Sequence, residues 1–119
     1  MADFEMLKVW QVAHAMVLDA YRATSSFPRA EQFGLTSQVR RAAVSIAANI
    51  AESTGRNHSL DQARFLQFAM GSAKEVRCHF LIARDLGFLP LKDQQAADAR
   101  LAGIERMLSS LLRYHKERG

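Results

Sequence analysis

SQVRRAAVSIAANIAESTGR, residues 37–56, reads as one helix with three distinct faces. At about 100° per residue, Val39, Ala42, Ala43, Ile46 and Ile50 share an apolar stripe wide enough to face a core. On the far side Gln38, Arg41, Ser45, Asn49, Glu52 and Arg56 fall within an arc of roughly 80° by the same arithmetic. Between them lie Val44, Ala47, Ala48 and Ala51, small side chains that let other backbones come close. Such a helix has neighbours on more than one side. Its polar row is either a solvated strip or a hydrogen-bonded seam.

The flanking sequence supplies three more long helices. The first is expected over 6–24, where Leu7, Trp10, His14, Val17 and Tyr21 recur at spacings of three and four. Val9, Val12, Ala13, Met16 and Ala20 fill most of the remaining positions, so this helix is apolar almost all round. A helix of that kind is covered on several sides, which hints at a subunit interface. Pro28 bars its continuation. In the connection SSFPRAEQFGL, Phe27, Phe33 and Leu35 are expected as lids over the end of the core. Thr36 or Ser37 is the expected cap of the second helix, 37–54, and Gly55 its left-handed stop.

Ser59 is the expected cap of the third helix, 60–86. There Leu66, Ala69, Ala73, Val76, Phe80 and Ala83 alternate spacings of three and four, the seam of an antiparallel bundle. Phe65, Phe68 and Ile82 lie off that seam. Gly71 sits in mid-helix at a cost of about 1 kcal/mol relative to alanine, which points to a close crossing over Gly71-Ser72-Ala73. Gly87 closes the helix. The fourth helix, 93–116, carries Ala97, Leu101, Ile104, Leu108, Leu111 and His115 on one face, with a frayed basic tail, RYHKERG. Residues 1–119 thus form one all-α domain, an antiparallel up-down-up-down four-helix bundle.

Composition narrows the function. The chain of 119 residues is nearly half hydrophobic and carries a net charge of +4, with arginine outnumbering lysine three to one. Arginine suits bidentate contacts to phosphate or carboxylate. One cysteine, Cys78, excludes an intrachain disulfide and fits a reducing cytoplasm. The start, MADFEMLKVW, lacks a signal pattern, and no apolar run reaches the ~18 residues of a membrane span. A soluble cytoplasmic protein is expected. A di-metal bundle needs Glu-x-x-His on two helices; here Glu75 and His79 are four apart, so no metal and no cofactor is expected. Cys78 has no activating partner and no phosphate-binding glycine loop exists. No enzymatic activity and no small-molecule substrate are expected.

Four segments in order carry a resemblance: LKVWQVA at 7–13, FPRAEQFGLTSQVRRAAVSIAANIAESTGR at 27–56, FLQFAMGSAKEV at 65–76 and RDLGFL at 84–89. Together they resemble a family of bacterial four-helix bundle proteins, the 23S rRNA intervening sequence proteins, first noted as reading frames inside intervening sequences of 23S ribosomal RNA genes. The chain departs from the family pattern at Ser53, usually glycine, and Ala47, often proline. The resemblance implies a left-handed bundle, a ring-like homopentamer and no enzymatic activity. It extends to the accessory proteins of diversity-generating retroelements, which share fold and assembly and work with nucleic acid and a reverse transcriptase.

Two sets of residues are candidates for function. Arg41, Ser45, Asn49, Glu52 and Arg56 form a ligand or RNA-contacting strip, or a pore lining in the ring; otherwise they are a structural network in which Glu52 pairs with an arginine. Arg40, Arg77, Arg84, Arg113 and Lys116, with Arg64 and Arg118 nearby, are candidate contacts to RNA or DNA; otherwise they are ordinary solvated surface. The leading expectation is a homo-oligomer that binds nucleic acid or a nucleic-acid enzyme. The alternative is a protein-interaction scaffold without a nucleic-acid role, docking through an apolar end such as Phe88-Leu89.

Overall fold

The structure, a computed structural model, describes residues 3–119; Met1 and Ala2, part of the start read above, lie outside them. Four helices follow in order: α1 Lys8–Thr24, α2 Leu35–Thr54, α3 Ser59–Asp85 and α4 Leu91–Arg118. Short 3-10 turns at Asp3–Met6 and Arg29–Glu31 precede α1 and α2. Among the described residues there is no strand. The molecule measures 45 × 24 × 21 Å. At about 1.5 Å per residue, that is one long helix in length and two helices in each other direction.

Each helix packs against two others. α2 lies between α1 and α3, and α4 closes the square against α3 and α1; the diagonal pairs stand further apart. The pairings run antiparallel. Arg77 of α3 meets Asp98 of α4, and Arg84, further along α3, meets Gln94, earlier on α4. Asp19 of α1 likewise meets Arg100 of α4.

The core follows the periodicity closely on the inner helices. All five positions of the α2 stripe and all six of the α3 seam are buried. On α4, Leu101, Ile104 and Leu108 are buried, while Ala97 and Leu111 pack at its margin. α1 is different. Its buried set is Val9, Ala13, Met16, Ala20 and Thr24, whereas Leu7, His14 and Tyr21 face outward. When both sets are apolar, the pattern alone cannot choose between them.

Several ends differ from expectation, each for a local reason. α1 begins at Lys8 because Asp3–Met6 takes the tighter 3-10 form. α2 starts at Leu35, two residues early, and neither Thr36 nor Ser37 caps it. The Glu31 carboxylate does so, accepting the Leu35 N–H at 3.1 Å. Gly34 makes room for it: a Cβ there would lie 2.9 Å from that oxygen. α3 starts at Ser59, which is therefore inside the helix; His58 precedes it in extended conformation without a side-chain cap bond.

Gly55 is not left-handed, with φ −89°. The left-handed stop is Gly87, at φ +81°. There Phe88 N–H donates to the Ala83 carbonyl at 2.8 Å and Gly87 N–H to that of Arg84 at 3.0 Å. This is the paired closure that satisfies carbonyls left over at a helix end. α4 starts at Leu91, directly after Pro90, and the basic tail continues it to Arg118.

Of the three expected lids, Phe27 and Leu35 are buried and Phe27 packs on Phe88, with ring centroids 5.9 Å apart. Phe33 is not a lid: it is 91% exposed, because Phe27 and Leu35 already close that end. Leu89 is buried and Phe88 half-buried, so the exposed apolar residues at this turn are Leu86 and Leu91.

Candidate functional site

The polar row of α2 divides along its length. Ser45 is its centre. Asn49 Nδ2 donates back to the Ser45 carbonyl at 2.9 Å and to its hydroxyl at 3.0 Å. Ser72 Oγ of α3 donates to the same hydroxyl at 2.8 Å. These are small groups, so α2 and α3 approach closely with every partner satisfied. The close crossing is made by Ser72 and the fully buried Ala73. Gly71 faces open space, with nothing within 4 Å of where its Cβ would stand.

At the C-terminal end of the row, Glu52 pairs with Arg56 one turn on. Arg56 also lies 3.8 Å from Asp61 and stacks over the Phe65 ring, 4.4 Å from its centroid. Gln62 donates to the Arg56 carbonyl at 3.0 Å. Arg56 therefore ties the α2–α3 turn together. At the other end Arg41 is exposed and has no partner among the described residues.

The basic candidates on α3 are held from within the bundle. Arg77 forks onto Asp98, with Nε 2.9 Å from Oδ1 and Nη2 3.1 Å from Oδ2. Its Nη1 donates to both Glu105 oxygens, at 3.0 and 3.2 Å, and Lys74 Nζ reaches Glu105 at 2.7 Å. Asp98 first, then Glu105, hold the Arg77 guanidinium still further above its usual range. Burial pushes the Glu105 carboxyl up, but the hydrogen bonds from Lys74 and Arg77 outweigh it and leave it below its ordinary value. Arg84 bonds Asp85 at 2.9 Å and the buried Gln94 at 3.2 Å.

Arg40 reaches across to α1. Its Nε donates to Thr24 Oγ1 at 2.8 Å, and its guanidinium carbon stands 4.5 Å from the centre of the Tyr21 ring. A cation there also suits the free carbonyls at the end of α1. Arg113 and Lys116 are exposed near the end of α4, Arg113 within 3.4 Å of Ser110. The structure thus brings the candidates together nowhere as one patch. Arg40 and Arg41 share a groove of about 640 Å³ with Tyr21 and Phe33.

Sequence reasoning missed that groove. Tyr21 and Phe33 carried no signal of their own, since each also fits a core position. It missed Asp98 and Glu105 too, because pairing them with Arg77 needs the register of α4 against α3. A second recess, about 370 Å³, lies between α1 and α4 over Met16, Ala97 and Leu89, with Asp19 held at its rim by Arg22 and Arg100. Among the described residues, no helix is long and apolar enough to cross a membrane.

A solved structure has the same fold. It is a protein of unknown function from the S23 ribosomal protein family of Bacteroides thetaiotaomicron, 18% identical, with a TM-score of 0.79 over 87% of this chain and 97% of that one. No curated protein matches the chain. The model of the family described as 23S rRNA-intervening sequence protein matches residues 5–110. That span contains α1, α2 and α3 whole, α4 as far as residue 110, and the motifs at 7–13, 27–56, 65–76 and 84–89, and the chain belongs to this family.

Proposed function

We propose that the protein is a non-enzymatic scaffold that assembles with copies of itself, as a homopentamer. One observation carries this reading: α3 leaves large apolar side chains on its outer side. Phe68 is 49% exposed and Ile82 43%, with Leu81 beside it. The α3 seam already fills the core, so these side chains have no place inside one bundle. On α1 Leu18 is exposed in the same way, as is Leu7 just before its first residue. Apolar surface recurring along two helices is what subunit contacts use. The fivefold number comes from the family resemblance.

The charged candidates support a scaffold in another sense. Arg56, Arg77 and Arg84 spend their donors on internal partners, so these arginines are architectural. Sedimentation equilibrium tests the proposal. The native protein is expected at the mass of five chains. The double substitution Phe68→Glu/Ile82→Glu is expected at the mass of one, with its helical circular dichroism kept. A native protein that stays a single chain at every concentration would refute self-assembly; another multiple would correct only the number.

A further inference from the structure

We infer that the groove between the end of α1 and the start of α2 binds single-stranded nucleic acid. The inference stands apart from self-assembly and rests on the groove's own chemistry.

Its walls combine two aromatic rings, two guanidinium groups and a row of hydroxyls: Tyr21, Phe33, Arg40, Arg41, Ser37 and Ser45. None of its lining residues is acidic. Glu75 lines the adjoining recess, which Arg41 and Ser45 also line, and is bonded to His79 at 3.1 Å. The groove lining carries net positive charge, and an anionic occupant complements it. Of the groove's two cations Arg41 is the one without an internal partner among the described residues, since Arg40 is bonded to Thr24. Arg77, Arg84 and Arg56 are spent on internal partners, while Arg41 faces the groove with all its donors free among the described residues.

The aromatic groups narrow the occupant further. A free phosphate or an acidic peptide needs cations but no flat apolar surface. Here Phe33 stands almost wholly in solvent at the groove's edge. Opposite, the Arg40 guanidinium lies on the Tyr21 ring and is fixed there by Thr24, which makes a rigid cationic platform. Bases unstacked from a single strand stack on aromatic rings and on guanidinium planes, while adjacent cations follow the backbone. A duplex hides its base faces and cannot use Phe33 in this way.

The test is fluorescence anisotropy of the full-length protein with labelled oligo-dT and oligo-U of about 12 nucleotides, beside a duplex of equal length, in about 50 mM salt. Both single strands are expected to bind more tightly than the duplex. Two guanidinium contacts predict a slope of about −1.4 in log K against log salt, falling to about −0.7 in Arg41→Gln. Arg41→Gln and Phe33→Ala are each expected to weaken binding about tenfold, the latter by loss of base stacking. Neither side chain supports the fold, so both variants remain native. Arg113→Gln/Lys116→Gln is expected to bind as the native protein does. Three results would overturn the inference: no binding of either strand, duplex binding equal to single-strand binding, or affinity unchanged in both groove variants. Sedimentation of the same samples guards the assignment. If Phe33→Ala dissociates the assembly while strand affinity is unchanged, the groove belongs to a second copy of the chain and not to nucleic acid.

Discussion

The two faces of α3 are joined to their neighbours by opposite means. Toward α2 the contact is neutral and small: Ser72 on Ser45, with Asn49 behind it. Toward α4 it is charged and long: Arg77 between Asp98 and Glu105, Lys74 on Glu105, Arg84 on Gln94. The neutral seam lets the backbones close in and survives the loss of either serine, since a lone serine hydroxyl can turn back on its own helix. The charged seam sits at the margin of the core, where each carboxylate depends on its arginine. Small polar groups therefore set distance, and the forked guanidinium sets register, because only one alignment places two carboxylates in its plane.

Removing the hub should have the largest effect. Arg77→Ala leaves Asp98 without its fork and Glu105, whose side chain is only 11% exposed, with Lys74 alone. A stranded, partly buried carboxylate is costly, and about 2–3 kcal/mol of stability should be lost. Ser72→Ala breaks a neutral bond while Asn49 still serves Ser45, and should cost no more than about 1 kcal/mol. Urea unfolding of the two variants measures the contrast. Equal losses would mean that the charged seam is no more than surface pairing.

Acid should separate the seams next. The Glu105 carboxyl titrates below its ordinary value of 4.5 in the folded protein. Its contribution is thus fully present above that value and is lost as pH falls through the lower, folded one. Ser45, Asn49 and Ser72 do not titrate there. The stability of the native protein should fall as pH drops below about 4.5, and Glu105→Gln should flatten that fall. His115 adds a milder limb of the same sign. Burial, then Arg118, lowers its pKa below the ordinary 6.5, so its protonation opposes folding as pH falls under that value. His115→Leu should remove the upper limb and leave the lower one.

The contrast also explains what was legible in the sequence. The α2 and α3 seams could be read because each has one apolar face and periodicity selects it. The core face of α1 could not, since Val9–Ala13–Met16–Ala20 and Leu7–Trp10–His14–Tyr21 both satisfy helical spacing. Ser45 could be singled out by its place in a polar row on α2, but its partner Ser72 stands 27 residues on. Arg77 looked like free basic surface for the same reason: Asp98 and Glu105 are 21 and 28 residues away. Local capping misled at α2 because a glutamate four residues back outcompeted two hydroxyls. Phe33 resembled a lid because hydrophobicity does not say which of three apolar residues in a turn is surplus.

The smallest effect concerns Gly71, which adjoins Ser72 but points the other way. A glycine in mid-helix is expected where a neighbour crosses, and α2 does not use it. Its Cβ position is open within the single bundle, so Gly71→Ala should stabilise the isolated fold by about 0.5–1 kcal/mol, the helix preference of alanine undiminished by any clash. Measured in the Phe68→Glu/Ile82→Glu background, that gain should appear in full. In the native background the same methyl group faces the side of α3 that carries Phe68. If sister chains pack there as tightly as α2 packs on Ser72, the substitution should raise the unfolding midpoint of the single chain and loosen the assembly at once. A gain of equal size in both backgrounds would place the subunit contact elsewhere on α3, and would leave the glycine explained by neither seam.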